Sequence, residues 1–456
     1  MLSRDFVPNP HSEAEMRRNL GMRLYLVAML AACKYDSDPV SPDGPEGDGP
    51  PVAQPCETVG TKECAADLLR TCVTQGELPI EETCGWGCDP EGTAHCLTIT
   101  PSGGSVTKTD LEPATFQGLG DVVIAAATSI DTDTGVIEGA PGNLYSTRTI
   151  GNVMILRMKS FTANAAIHLT GVKALAIVAD QKITINASID LKDCVSGNDG
   201  RRTAGPGGFR GGVKGAVPQA GEGTGGGQPA QANSKGGGGG GFGGVGGRGG
   251  LTGGVGGVEN GNPEIMLLIG GSGGGGARSG GGVGGGGGGA IQFVSSLEFE
   301  ITAAGSIDAG GCGGGKGASG PNDGGGGGGA GGAIVVDAPQ VTINGQVAVN
   351  GGGGGASDSG GDGGDGTLGR AGGTGGAVGG AGGAAGGAGG GGGPTTAVNG
   401  GQGAGTTLGS GGGGAVGRIR FTTRSGNVTV ADQLLLSPNF DDQTTCTAAI
   451  STIVQP

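Results

Sequence analysis

The sequence is poor in aromatic residues, in histidine and in positive charge, and its hydrophobic runs are short. One tryptophan, three tyrosines and nine phenylalanines make up an aromatic content of only 3% in 456 residues. So few large side chains, beside 117 glycines, argue against one ordinary hydrophobic core. Because ordering glycine costs about 0.5–1 kcal/mol more than ordering alanine, the folded state must depend largely on backbone hydrogen bonds.

The scarcity of positive charge excludes some kinds of binding partner. Lysine and arginine number 26 against 40 aspartates and glutamates, which gives a formal net charge of -14. A surface of this sign repels phosphates and anionic lipid headgroups. We therefore expect no nucleic-acid partner; the charge favours solubility and, among ions, divalent cations.

The apolar run from Leu24 to Leu30 is too short to cross a bilayer but has the proportions of a secretory signal. Arginines precede it, and it ends in Leu-Ala-Ala-Cys at 30–33. This arrangement resembles a bacterial lipoprotein signal, in which the cysteine takes lipid on sulfur and becomes the new N-terminus. The resemblance implies a signal peptide over 1–32, lipidation of Cys33 and anchoring to a membrane surface. An apolar helix with a chance cysteine is the alternative.

Two short units follow the signal. Residues 33–55 are rich in proline, aspartate and glycine, which predicts an extended acidic tether.

Residues 56–96 hold six cysteines: Cys56, Cys64, Cys72, Cys84, Cys88 and Cys96. So short a segment lacks a sufficient core, and in an exported chain this pattern predicts a disulfide module of undetermined pairing. A zinc site is the alternative, although the CGWGC spacing does not match a zinc pair. We expect Trp86 to pack on the disulfides; an exposed binding aromatic is the alternative.

From about residue 119, strand-like runs alternate with glycine-rich blocks. Runs at 175–191, 291–309, 334–349 and 419–436 each contain an alternating apolar triplet and one further apolar residue. The triplets are Ile183-Thr184-Ile185, Phe299-Glu300-Ile301, Val341-Thr342-Ile343 and Val428-Thr429-Val430, and the further residues are Ile189, Ile307, Val347 and Leu434. Alternation with period two predicts strands with one buried face.

Repeated strands separated by insertions of uneven length favour an all-β fold, a right-handed parallel β-solenoid over 119–437. Its insertions are expected to leave at one corner, the runs at 121–130 and 153–169 supply the first coils, and 438–456 form a C-terminal tail. A β-sandwich is the alternative, but long glycine blocks make poor hairpins.

The alignment of the repeats also predicts a covalent link. Cys194 and Cys312 each follow the further apolar residue of their run by five positions, so in adjacent stacked coils the two cysteines would lie one above the other. A strand spacing of about 4.8 Å lies within the Cα separation that a disulfide permits, and we expect a bridge; two free thiols are the alternative. Asp190 and Asp308 also occupy equivalent positions in their two runs. Their carboxylates would either form a ladder that binds cations or lie in solvated turns.

The glycine blocks cover 195–289, 310–331 and 350–414. In GGFGGVGGRGGLTGGVGG, at 240–257, a side chain occurs at every third position until the register slips at Leu251-Thr252. Proline is too scarce and the register too short for collagen. We expect extended threefold helices that bond to one another side by side, as in polyglycine II; a flexible linker is the alternative. The slip, which recurs after Ala377 and Ala384, would mark the turn between helices.

Nothing in the sequence groups into a catalytic set. The histidines after the signal are His95 and His168, the latter on a strand with its side chain expected to face outward, and the acidic residues do not cluster. We therefore expect no catalytic residue, no metal site and no cofactor. Because polysaccharide lyases and hydrolases also use parallel β-helices, such an enzyme is the alternative.

The signal, the tether, the cysteine module and glycine-flanked strands such as KALAIVADQKITINASIDL and GGAIVVDAPQVTINGQVAVNGGGGG together resemble the glycine-rich exported lipoproteins of Gram-negative bacteria, of the type called PE-PGRS-like. The resemblance implies export to the outer membrane or cell surface, and Lys34 after the lipidated cysteine implies outer-membrane sorting. From this placement we expect a structural or adhesive role, with surface glycans or other cells as partners. The resemblance supplies no activity.

Overall fold

The computed structural model describes residues 53–197, 200–318, 323–358, 360–369, 398–405, 407–441 and 443–454. The predicted signal peptide, Cys33 and most of the tether lie outside these residues. The described part is nearly all β: its helical elements are α1 (Pro113–Phe116) and 3-10 turns at Lys108–Leu111 and Gln433–Leu435.

The six-cysteine module, residues 56–96, consists of two small antiparallel sheets. They comprise β1 (Lys62–Ala65), β2 (Leu68–Thr71) and β3 (Ile80–Thr83), and the pair β4 (Cys88–Asp89) and β5 (His95–Cys96). Three disulfides join the module: Cys56–Cys72, Cys64–Cys88 and Cys84–Cys96. Its own buried cluster contains only Leu69, Cys84 and Ala94. A core of this size needs cross-links, and the structure uses disulfides for them.

Most of the remaining strands return repeatedly to the same three sheets. They are β7 (Asp121–Ile124), β8 (Thr128–Asp131), β9 (Val136–Ile137), β10 (Tyr145–Ile150), β11 (Val153–Met158), β12 (Ser160–Ala163), β13 (Ile167–Thr170), β14 (Ala174–Ala179), β15 (Lys182–Ile185), β16 (Ser188–Asp190), β17 (Ala290–Ser295), β18 (Glu298–Ile301), β19 (Ser306–Asp308), β20 (Ala333–Asp337), β21 (Gln340–Ile343), β22 (Gln346–Ala348), β23 (Arg418–Thr423), β24 (Thr429–Val430), β25 (Leu436–Ser437) and β26 (Cys446–Ile450). Outside these sheets, β6 (Thr98–Ile99) and β27 (Ile453–Val454) form an antiparallel pair.

The first sheet has the order β10-β11-β14-β17-β20-β23-β26, the second β24-β21-β18-β15-β12-β7 and the third β25-β22-β19-β16-β13-β8-β9. All pairs within them are parallel except β10 with β11 and β8 with β9. A coil therefore contributes one strand to each sheet in turn, for example β14, β15 and β16. This arrangement is compatible with a parallel β-solenoid.

The register of the middle coils confirms the alignment of the repeats. Ile183 pairs with Phe299, and Phe299 pairs with Val341, along the second sheet. In the third sheet, Ile307 lies between Ile189 and Val347. The predicted first runs supply β7 and β8, and β11 to β13.

The last coil differs from the predicted alignment. Val347 pairs with Leu436, whereas Leu434 is 53% exposed. The cause is the 3-10 turn at Gln433–Leu435, whose preceding Asp432 side chain accepts a hydrogen bond from the Leu434 amide and shifts the strand by two residues. Parallel pairing also continues beyond residue 437, because β26 adds to the first sheet.

Two buried clusters lie on the two faces of the first sheet. The interior cluster receives alternate side chains from all three sheets, and the rings of Phe293 and Phe299 lie 5.0 Å apart within it. The outer face carries small residues such as Ala176 and Ala290 and is covered by residues that include Leu111 and Phe242. Both strands are buried at every position, and burial on both faces explains why β14 is apolar throughout.

All three glycine blocks leave the coils at one corner, after a strand of the third sheet and before a strand of the first. The backbones of neighbouring glycine segments are hydrogen-bonded to one another, and the donating amides occur at every third residue of a segment. The amides of Phe209, Gly212 and Gly215 donate to the carbonyls of Gly271, Gly274 and Ala277, and those of Gly325, Gly328 and Gly331 donate to Gly409, Gly412 and Ala415. The described glycine segments are thus ordered by backbone hydrogen bonds.

The stretch at 240–257 contains two reversals. Phe242 donates its amide to Gly244, so a first turn occurs at Gly243, where the sequence predicted a continuous segment. The second turn occurs at Leu251 and Thr252, both with positive φ, which is where the register slip predicted it. Between and beyond the turns, every third residue is exposed: Val245, Arg248, Val255 and Val258. The slips after Ala377 and Ala384 lie outside the described residues.

Candidate functional site

The structure joins Cys194 to Cys312, the pair that the repeat alignment predicts, with their Cα atoms 5.4 Å apart. Cys446 is buried and outside the four disulfides. The carboxylate of Asp365 lies close to both sulfur atoms of the Cys194–Cys312 pair. Because disulfide sulfurs are not thiolates, this group is not a metal centre in the oxidised protein.

Asp190 and Asp308 repeat along the third sheet as the alignment predicts, but Asp308 is not a solvated turn carboxylate. The two residues are in register in the third sheet, but Asp308 is only 7% exposed and forms an ion pair with Lys192. Burial raises the pKa of Asp308, and the Lys192 ammonium opposes this shift. Asp308 is therefore part of an internal ion pair, whereas Asp190 is half-buried and accepts a hydrogen bond from the Lys192 amide.

A partly enclosed space lies where the six-cysteine module packs on the coils. We call it the module cleft: a space of about 580 Å³ whose module side includes Glu82, Trp86 and His95, and whose coil side includes Asp180 and Leu297. His168, in contrast, is exposed on β13, as predicted.

Close contacts fix the two sides of this cleft. Arg424, just after β23, donates to both carboxylate oxygens of Asp67 in the module, at 2.8 and 2.9 Å. A Cβ at Gly85 would lie 2.1 Å from the Ser296 carbonyl oxygen, so only glycine permits this approach. The cleft is therefore formed by two parts in direct contact.

Two buried polar atoms of cleft residues have no hydrogen-bond partner among the described residues. They are Nε1 of Trp86, a residue only 2% exposed, and Nε2 of His95. Trp86 belongs to the cluster that contains Ile99 and Leu111, so it packs toward the coils. From the sequence we expect it to pack on the disulfides, but their cluster is a separate one. His95 Nδ1 lies 3.0 Å from the Thr93 carbonyl oxygen.

Carboxylates supply most of the charge of the cleft. Glu81, Glu82, Glu112 and Asp180 line it together with Lys62 and Lys108. Burial raises the pKa of Asp180, the negative charge of Glu82 raises it further, and Lys159 opposes both. Sequence reasoning missed this group because Glu82 and Asp180 are almost a hundred positions apart; the neighbouring Trp86 within CGWGC was its only local signal.

A second polar group lies on the outer face of the first sheet but is enclosed. Asp337 is fully buried and accepts hydrogen bonds from the Ser102 hydroxyl at 2.7 Å and from Gln292 Nε2 at 2.8 Å. Burial raises its pKa, and these hydrogen bonds oppose the shift. Arg418, likewise buried, is held by Glu259 and by carbonyl oxygens. These groups tie the covering segments to the coils.

Among the described residues, no helix has the length and apolar character needed to cross a membrane. Comparison with known proteins found no matching family model, no matching curated protein and no matching solved structure. The functional interpretation of this chain therefore depends on its own residues.

Proposed function

We propose that the protein is an exported, lipid-anchored surface protein with a structural or adhesive role. Cys33 would carry the lipid, and residues 33–55 would hold the folded part away from the outer membrane. The four disulfides support export, because such bonds persist in oxidising compartments. The chain would belong with the glycine-rich, PE-PGRS-like lipoproteins that its sequence resembles.

The observation that carries the structural role is the three-residue spacing of the hydrogen bonds between glycine segments. In an extended threefold helix all amides point outward, so neighbouring helices can bond on every side if no side chain separates them. We interpret the blocks as polyglycine II-like insertions in a right-handed solenoid. Such a body is rigid without a large core: side chains such as Val245 and Arg248 are exposed, and Phe242 packs on the outer face of the first sheet.

The anchor is tested by metabolic labelling with a radioactive fatty acid and by protease treatment of intact cells. The natural protein should incorporate label and be digested from outside, whereas Cys33→Ser should lose the label and the membrane association. Cys446→Ser is the matched control and should retain both. Label that survives Cys33→Ser, or a protein protected in intact cells and digested only after lysis, would overturn the proposal.

A polysaccharide lyase or hydrolase is the second candidate, and the module cleft favours it. Asp180, with its raised pKa, lies beside the charge of Glu82, and a carboxylic acid paired with a carboxylate is the usual equipment for glycoside hydrolysis. Release of reducing ends from polysaccharides would support this function if Asp180→Asn abolishes it while Asp190→Asn, on β16, does not. Absence of turnover with a functioning anchor supports the structural role.

A further inference from the structure

We propose that Cys194, Cys312 and Asp365 become a metal site when the bridge between the two cysteines is opened, and that this site binds a thiophilic divalent cation such as Zn²⁺. The oxidised protein has the disulfide instead, so the two states exclude each other. This inference goes beyond the proposed function and is independent of the anchor and of the adhesive role.

Three ligand atoms converge at this place. Sγ of Cys194, Sγ of Cys312 and a carboxylate oxygen of Asp365 all lie within 4.8 Å of one another. Zn–S bonds of about 2.3 Å and Zn–O bonds of about 2.0–2.2 Å, at tetrahedral angles, place such atoms about 3.5–3.8 Å apart. Once the bridge is open, rotation of the two cysteine side chains can give this separation without movement of the Cα atoms, which are 5.4 Å apart.

The group is accessible from solvent. Cys194 and Asp365 keep part of their surface exposed, whereas Cys312 is buried. The two residues after Cys194, Val195 and Ser196, are exposed. A single ion can therefore approach from the side of Cys194 and Asp365, and it needs no enclosed cavity.

The donor set selects the kind of metal. Two thiolates are soft ligands, which favour Zn²⁺ over Mg²⁺ or Ca²⁺. The Gly313 amide donates to Oδ1 of Asp365 at 2.8 Å, which orients the carboxylate and still leaves it lone pairs for a metal. Three protein ligands leave the fourth tetrahedral position to a water molecule.

Opening the bridge is a two-electron reduction, and we assign the role of reductant to a small-molecule thiol. Two molecules of this thiol supply two electrons and two protons; they join in a disulfide, and Cys194 and Cys312 become thiols. Binding of Zn²⁺ then releases both protons to solvent, because the metal ligands are thiolates. Bound metal therefore favours the reduced pair, and the disulfide forms again only after the metal has left.

The metal would connect all three glycine blocks. Cys194 directly precedes the first block, Cys312 lies in the second and Asp365 in the third. The disulfide links only the first two of these positions. Exchange of the disulfide for the metal thus replaces a link between two insertions by a link among three.

The site is tested on the full chain, reduced with a phosphine, because an added thiol would compete for the metal. The cysteines are alkylated with N-ethylmaleimide in the presence of Zn²⁺, of Mg²⁺ or of neither, and tryptic peptides are analysed by mass spectrometry. Trypsin places Cys194 in 193–201 and Cys312 in 279–316, apart from the cysteines of the module. We expect saturating Zn²⁺ to slow alkylation of both residues by at least about 10-fold and Mg²⁺ to have no effect.

Asp365→Asn identifies the third ligand. It should weaken the protection by Zn²⁺ so that at least about 10-fold more metal is needed, since even changes next to the ligands cost this much affinity. Asp362→Asn, in the same glycine block, is the matched control and should be protected like the natural chain. Cys446→Ser, which alters the cysteine outside the four disulfides, should also leave the protection unchanged.

Cys194→His tests the site without a reductant. This variant cannot form the bridge but offers a nitrogen ligand that suits Zn²⁺, and the disulfides of the module remain intact. Calorimetric titration should show one Zn²⁺ bound, with an affinity at least about 10-fold higher than that of Cys194→Ala.

In a reduced chain that remains folded by circular dichroism, alkylation of Cys194 and Cys312 that is unaffected by Zn²⁺ overturns the proposal. Equal protection by Mg²⁺ overturns it too, as does protection that Asp365→Asn leaves unchanged. If reduction unfolds the chain, the calorimetric comparison decides: equal Zn²⁺ affinities of Cys194→His and Cys194→Ala overturn the proposal, and the expected difference supports it.

Discussion

Gly327 lies near the end of the second glycine block and is the position at which the role of glycine is most directly tested. A Cβ added there would lie 2.0 Å from the carbonyl oxygen of Gly238 and 2.4 Å from its carbon. The Gly327 amide donates to Gly275 at 2.9 Å, and the Gly327 carbonyl accepts from Gly285 at 2.8 Å. Gly327→Ala must therefore push apart backbones that are bonded on several sides.

The magnitude follows from these contacts. Overpacking costs about 1–3 kcal/mol, and loss of the two hydrogen bonds of Gly327 adds about 0.5–1.5 kcal/mol each. The lower entropy of the unfolded alanine chain offsets about 0.4–1 kcal/mol. We expect Gly327→Ala to lower the free energy of unfolding by about 3 kcal/mol.

Urea unfolding followed by far-ultraviolet circular dichroism measures the global change, and amide hydrogen exchange of 323–332 measures the local one. Gly142→Ala is the matched control, because no atom lies within 4 Å of its added Cβ and its φ is not in the left-handed region. It should be neutral or slightly stabilising. If Gly327→Ala matches Gly142→Ala in both measurements, or if the natural segment exchanges rapidly, the glycine blocks are not closely packed and our reasoning is refuted.

Replacing both Cys194 and Cys312 by serine should lower the free energy of unfolding by about 4–5 kcal/mol, since the bridge closes a loop with a sequence separation of 118; urea midpoints measure this. Arg424→Gln should cost less than about 1 kcal/mol, because that side chain and Asp67 are 41% and 53% exposed. The Arg424 guanidinium lowers the pKa of Asp67, so this stabilisation should be present above about pH 3.9 and lost as the pH falls further, in thermal melts. Because burial raises the pKa of Asp337, its contribution to stability should decline as the pH rises above about 3.9, and Asp337→Asn should reduce the fall in urea midpoint between pH 4 and pH 7.

Each of these expectations has a contrary result. A double serine variant as stable as the natural protein would mean that the bridge does not restrict the unfolded chain. A cost for Arg424→Gln that persists at pH 2 would assign its effect to packing rather than to the Asp67 carboxylate. An identical pH dependence in Asp337→Asn would show that this buried carboxylate does not titrate differently in the folded and unfolded states.

The periodic parts of the fold could be predicted from the sequence because each repeat carries the same local pattern. The alternation around Ile183, Phe299 and Val341 gave their mutual register, and the fixed offset of Cys194 and Cys312 gave their pairing. The hydrophobic pattern did not predict the register where a local hydrogen-bonded turn interrupts the strand. In the last coil a 3-10 turn moved the inward position two residues along the chain, and a hydrophobic pattern with leucine at several consecutive positions does not reveal such a turn.

The candidate site could not be predicted in this way because it depends on contacts between non-repeated parts of the chain. Glu82 and Asp180 are brought together only when the module docks on the coils through Arg424. Similarly, Lys192 gave no sequence signal that it pairs with Asp308 in the next coil. Such pairings depend on the path of an insertion of about a hundred residues, and a single sequence does not specify that path.

The three-residue spacing of the glycine hydrogen bonds also limits how these blocks can change in length during evolution. Adding or deleting three residues within a segment leaves the remaining side chains facing outward, as Val245 and Arg248 do. A change of one or two residues would rotate such a side chain into the space between neighbouring backbones, where the Cβ of even an alanine does not fit. Lengths should therefore drift in triplets within segments, while single-residue differences accumulate at the reversals, where Leu251 and Thr252 already interrupt the register.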